Sequence, residues 1–194
     1  MESTQQGKRP RVYFGLRSPY SRLGLHKVAD SDVDVELIAF TGPPDDAPFA
    51  DPTANKYKLA YYHEDVLRMT SAMSLRLALP KPFDVDFRAA NRACIAADMA
   101  GHGLAMALAL SEARWGEGKD ISDPAIVAEA AVAAGWTGYD ADAVGADPLI
   151  TERLREDRRK ITEDGVFGVP FLVDGPHKYW GQDRFDLWLA ERGR

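Results

Sequence analysis

The chain has 194 residues, 45% of them hydrophobic, and a formal charge of −6, enough to bury one good core with room for a sizeable insertion. A net negative surface repels phosphate instead of releasing its counterions, which excludes non-specific nucleic-acid binding. No apolar run reaches the length of a membrane span, and Met1 to Gln6 lack a basic-then-apolar leader, so a cytoplasmic protein without a membrane partner is expected.

Residues 1–10 are polar and aperiodic and read as a flexible tail. Arg11-Val12-Tyr13-Phe14-Gly15-Leu16-Arg17-Ser18-Pro19-Tyr20-Ser21 reads as a strand that delivers Ser18 to the start of a helix, with Ser18 as N-cap and Pro19 in the first turn. Such a junction aims backbone N–H groups and a helix dipole at an anion, although a serine there is by default only a cap. Leu23, Leu25, His26 and Val28 continue the helix. Val33 to Phe40 alternates and then turns apolar, as a buried second strand would, giving a right-handed βαβ unit.

From Thr41 to Thr53 the chain is rich in Pro, Asp and Gly and reads as a surface loop at the edge of an insertion. Helical periodicity follows over Leu59 to Leu77, Val85 to Met99, Leu104 to Trp115, Ala125 to Ala134 and Leu149 to Glu163. Starts are signalled by Asp84 or Asp86, by Asp123-Pro124 and by Asp147-Pro148. Val166 to Pro176 reads as a strand and tight turn, Lys178-Tyr179-Trp180 as its hairpin partner, and Asp183 to Glu191 as a last helix.

The single cysteine, Cys94, leaves no internal disulfide, Cys-x-x-Cys pair or multi-thiolate zinc site, and its setting in Arg92-Ala93-Cys94-Ile95-Ala96-Ala97 is that of a core side chain. His26, His63, His102 and His177 have no metal-ligand spacing and read as surface or packing residues, so no metal is expected. Glu152, Glu156 and Asp157 with Arg153, Arg155, Arg158 and Arg159 read as a solvated helix face.

The order βαβ, helical block, ββα predicts an α/β fold: a thioredoxin-like sheet with an inserted all-helical domain. The boundaries are 11–54 and 165–194 for the sheet domain and 55–164 for the insertion. Ser18-Pro19-Tyr20-Ser21 stands where a disulfide oxidoreductase carries Cys-Pro-Tyr-Cys. Gly168-Val169-Pro170-Phe171 stands where that fold has its cis-proline loop, and the Val169–Pro170 bond is expected to be cis. Together with Lys58, Tyr61, Asp65 and Arg68, spaced Lys-x-x-Tyr-x-x-x-Asp-x-x-Arg, and Trp180-Gly181-Gln182-Asp183-Arg184, the chain resembles the 2-hydroxychromene-2-carboxylate isomerases and the kappa-class glutathione transferases.

The resemblance implies glutathione, or another low-molecular-weight thiol, as cofactor, and a homodimer. Ser18 matches the serine that hydrogen-bonds the glutathione sulfur, and Val169 with Pro170 the pair that holds the tripeptide backbone. Gln182 and Asp183 match the residues that receive its γ-glutamyl end, and Lys58 is the ligand contact within its motif. Arg17 is a candidate partner for a carboxylate or enolate. The leading reading is a thiol-dependent cis-trans isomerase acting on a conjugated aromatic enone; conjugation of an electrophile and a non-catalytic binding module are the alternatives. The chain departs from the resemblance at Gly15, where similar proteins have Asp, and in the loop Asp51-Pro52-Thr53-Ala54-Asn55, which replaces an Asn-x-Pro-Pro.

Overall fold

The computed structural model describes residues 9–47 and 54–193; the expected tail up to Lys8 and the loop at 48–53 lie outside that range. Strand β1 (Arg11–Phe14) leads into α1 (Pro19–Ala29) and β2 (Glu36–Ala39). The helical block follows, as α2 (Lys56–Ala72), α3 (Arg88–Met99), α4 (Gly103–Ser111), α5 (Pro124–Ala133), α6 (Ala141–Ala146) and α7 (Pro148–Glu163). Strands β3 (Phe171–Asp174) and β4 (His177–Trp180) then form a hairpin, and α8 (Gln182–Arg192) closes the chain.

The four strands lie in the order β2-β1-β3-β4. β1 pairs parallel with β2, Val12 opposite Leu37, and antiparallel with β3, Val12 opposite Leu172. Because successive strand residues face opposite sides, Val12, Phe14, Leu37 and Leu172 point one way and Tyr13, Ile38, Phe171 and Val173 the other. The first set packs with Leu25 and Val28 of α1, Met106 and Leu110 of α4, and Phe185 and Trp188 of α8. The second is covered by Ile161 of α7 and by Val166. One continuous core thus joins the sheet to the helical block.

Several expected boundaries shift, each for a local reason. α2 stops at Ala72 rather than Leu77 because Met73 caps it and Ser74 takes φ 56. α4 does not run on to Trp115 as an α-helix but widens after Ser111 into a π turn, Glu112–Gly116. α6 carries too little apolar periodicity to be read in advance; Asp140 starts it by accepting from Asp142 N at 2.9 Å and Ala143 N at 3.0 Å. Asp123 and Asp147 cap α5 and α7 as their Asp-Pro signals predict. One expectation is corrected: Asp157 is not on a solvated face but fully buried, with Arg153 at 3.0 Å, and burial raises its pKa. Among the described residues no helix is long and apolar enough to cross a membrane.

Candidate functional site at the start of helix α1

The turn between β1 and α1 is fixed from three sides. Ser18 N donates to Gly15 O at 2.9 Å, Gly15 N donates to Ser21 Oγ at 3.0 Å, and the buried Trp115 donates its Nε1 to Leu16 O at 3.0 Å. Ser18 is extended at φ −101, ψ 117, and its Oγ accepts from Ser21 N at 3.2 Å, so it is the N-cap that Ser-Pro predicts.

The hydroxyl also faces the other end of the chain. Ser18 Oγ lies 3.4 Å from Val169 O, and the Val169–Pro170 peptide is cis, as expected. Two glycines permit this close approach. A Cβ on Gly15 would sit 3.0 Å from Val169 Cγ2, and one on Gly24 would sit 3.2 Å from Pro170 Cβ and 3.1 Å from Phe185 Cε2. The first contact bears on the departure at position 15: a side chain there is tight against Val169 and needs that side chain to shift by a few tenths of an ångström.

Pro170 O then accepts from Gly181 N at 3.0 Å, which brings the start of α8 to the same corner. Gln182 is buried, and its Oε1 meets no donor among the described residues. Asp183 is exposed and pairs with Arg184 at 3.0 Å. Ser18, Val169, Pro170 and Gln182 therefore converge, whereas Asp183 stays at the rim.

Arg17 is half exposed, 3.5 Å from Asp84. Lys58 lies on the exposed first turn of α2, its Nζ 5.9 Å from the Tyr62 ring centroid. The link from α2 to the site is Tyr20, whose role no motif in the sequence signals. Its ring stacks at 5.8 Å on Tyr62, and its hydroxyl donates to Asp65 Oδ2 at 2.7 Å, while Arg68 holds Asp65 Oδ1 at 2.8 Å. The Asp-x-x-Arg half of the motif thus fastens α2 to the second residue of α1. Burial, then the bond to Asp65, raise the Tyr20 pKa, so it remains a donor.

One turn further along α1, Arg22 is almost fully buried and donates to both oxygens of Glu112, at 2.6 and 2.8 Å, and to Arg76 O at 2.7 Å. His26 Nε2 lies 2.6 Å from Glu112 Oε1, so this histidine belongs to a charge network rather than to plain packing. Burial opposes the charge on Glu112, but hydrogen bonds from His26 and Arg22 outweigh it and hold the carboxyl at about 2. No spacing in the sequence links residues 22, 26 and 112; the packing of α4 on α1 brings the last to the others.

A thioredoxin-type sheet, a helix opened by Ser-Pro and a facing cis-proline define a thioredoxin-fold protein with serine where a redox member has its first cysteine. The model of the DSBA-like thioredoxin domain matches residues 11–191, and the chain belongs to that family. It is 26% identical over 193 residues to 2-hydroxychromene-2-carboxylate isomerase of Pseudomonas putida, covering 94% of this chain and 93% of that one. A solved 2-hydroxychromene-2-carboxylate isomerase superimposes with a TM-score of 0.78 at 24% identity, over 95% of this chain and 94% of that one. The cytosolic disulfide reductase DsbM of Pseudomonas aeruginosa, solved with GSH, does so at 0.62 and 17%, over 95% and 98%.

Proposed function

We propose that this protein is a glutathione (thiol)-dependent cis-trans isomerase acting on a conjugated aromatic enone. The observation that carries the reading is the half-engaged hydroxyl of Ser18. A serine hydroxyl has one donor and two acceptor sites. Capping α1 uses an acceptor site, and the donor is spent on Val169 O at 3.4 Å, a weak bond. The O–H is free to turn to a sulfur anion without uncapping the helix.

The remaining residues fit a thiol tripeptide. The backbone at Val169, beside the cis-proline, pairs with the cysteinyl portion. The buried Gln182 Oε1, which lacks a donor among the described residues, accepts from the γ-glutamyl amine, with Asp183 as the anionic contact at the rim. Lys58, two turns before Asp65 on the helix that Tyr20 anchors, takes a carboxylate of the tripeptide. When bound, the thiol supplies a nucleophilic sulfur that adds to the enone and later leaves, so that the former double bond turns while it is single. Ser18 and the N–H groups opening α1 stabilise the sulfur's charge, lowering a thiol pKa as helix N-termini do, and Arg17 offers a cation to the substrate oxygen that gains charge.

Calorimetric titration with glutathione tests the fit. One site per chain is expected, and Gln182→Leu should weaken it roughly ten- to a hundredfold, the effect of losing one hydrogen bond to a charged group. Silence up to millimolar glutathione, or an undiminished affinity in the variant, would contradict the assignment.

A further inference from the structure

Helix α2 lies almost outside the core. Of its 17 residues only Val66 and Thr70 are buried, and none of its side chains belongs to the hydrophobic clusters formed by the sheet and the other helices. Among the described residues, its one hydrogen bond to another element is the 2.7 Å bond that Tyr20 donates to Asp65 Oδ2, and its one aromatic contact with another element is the Tyr20–Tyr62 pair at 5.8 Å. Both go to a single residue in the first turn of α1. The Asp65 side chain is only 16% exposed, and Arg68 fixes its other oxygen at 2.8 Å, so the Tyr20 hydroxyl meets an oriented carboxylate with little competition from water.

Tyr20 stands between this helix and the Ser18 turn. On one side it is joined in the chain to Ser21, whose N–H donates to Ser18 Oγ at 3.2 Å and whose own Oγ accepts from Gly15 N at 3.0 Å. On the other side its ring faces Tyr62, and Lys58, one turn before Tyr62, carries its ammonium 5.9 Å from that ring's centroid. Two stacked rings thus run from the residue beside the cap to the cation of α2.

We propose that Tyr20 is a positioning residue, whose hydroxyl latches α2 in the place from which Lys58 serves the Ser18 corner. The proposal rests on the thiol-site reading for what Lys58 binds, but the latch itself can be measured on the free protein. Without the bond, α2 has few buried contacts to keep it docked, and segments with little burial are the ones that open locally. A ligand that needs the docked helix then binds in proportion to the fraction that is docked.

The test has two arms. In the free full-length chain, amide hydrogen exchange over Tyr61 to Ala72 should quicken roughly ten- to a hundredfold in Tyr20→Phe, the effect of losing one hydrogen bond to a charged group, while α3 and α7 exchange as in the wild type. Asp65→Ala should do the same, and the double variant should be little worse than either, since both substitutions remove one bond. In the second arm, calorimetric titration with glutathione should show several-fold weaker binding by Tyr20→Phe, and that loss should disappear when the substitution is made in Lys58→Ala. A residue that only supported the fold would weaken both backgrounds alike. Exchange over α2 that is unchanged in Tyr20→Phe, exchange that quickens throughout the molecule, or a loss of glutathione affinity that persists without Lys58 would overturn the proposal and leave Tyr20 as a packing residue. Wild-type protein that binds no glutathione would remove the thiol-site reading and with it the role of Lys58; the latch would then stand or fall on exchange alone.

Discussion

Ser18 shows how one side chain can answer two demands at once. As an N-cap it satisfies an orphan N–H of α1, worth about 1 kcal/mol, and as a weak donor to Val169 O it keeps a proton available for another acceptor. Cys94 is the opposite case. It is buried, and desolvation, with Asp98 second, pushes its thiol up to about 12, so it is neither a nucleophile nor a redox partner at neutral pH. Labelling with a disulfide reagent should be slow in the native protein and reach one thiol per chain on unfolding; immediate native labelling would contradict this burial. At this scale Ser-Pro after a strand was legible as a cap because its geometry is local, whereas the cis Val169–Pro170 bond was expected from the resemblance, a Val-Pro at a strand start being by itself more often trans. Tyr20 and Glu112 were not, because each gains its meaning from a partner far away in the chain, which no spacing in one sequence reveals.

At the scale of elements, α1 is the piece that must not shift, for its first turn presents Ser18. Its N-terminal end is held by the strand turn and by Trp115, and its body by the cis-proline loop against Gly24 on one side and by Arg22 and His26 on Glu112. The packing of α4 on α1 lets Glu112, the residue after the helix, reach Arg22, and a helix of ordinary pitch beyond it would have continued the periodicity that the sequence shows up to Trp115. Glu112 sits well below its ordinary carboxylate range in the folded protein, so its stabilising contribution is complete above that range and is lost as pH falls toward about 2. Glu112→Gln should therefore cost about 2 kcal/mol near neutrality, less than a fully buried pair because the carboxylate is partly exposed. It should also flatten the decline of stability between pH 4.5 and 2 relative to wild type. Denaturant melts at several pH values check both; a variant with unchanged stability and the same acid profile would show that Arg22 is satisfied by Arg76 O alone.

In the whole molecule, the functional corner draws on both ends of the chain and on the helical block between them. The turn after β1, the loop before β3 and the start of α8 supply Ser18, Val169, Pro170 and Gln182, while the insertion approaches through α2, which holds Tyr20 of α1, and through Trp115 of the π turn. The sheet order β2-β1-β3-β4 places the β1–α1 turn beside the loop before β3, which is why residues 151 positions apart meet. The strands and most of the helices followed from sequence pattern, and the meeting of Ser18 with the cis-proline loop from the resemblance. How the helical block packs on the sheet did not, since a shared core of Val12, Leu37, Met106 and Leu110 is decided by side-chain shape, to which periodicity is blind. The proposed chemistry requires that this corner hold a thiol whose sulfur Ser18 serves. The most direct measurement is turnover of a hydroxybenzylidene pyruvate with and without glutathione, by the wild type and by Ser18→Ala. Turnover that requires glutathione and falls roughly ten- to a hundredfold in the variant, with thiol binding changed far less, is the predicted result. Turnover that is indifferent to glutathione, or undiminished in Ser18→Ala, would contradict it.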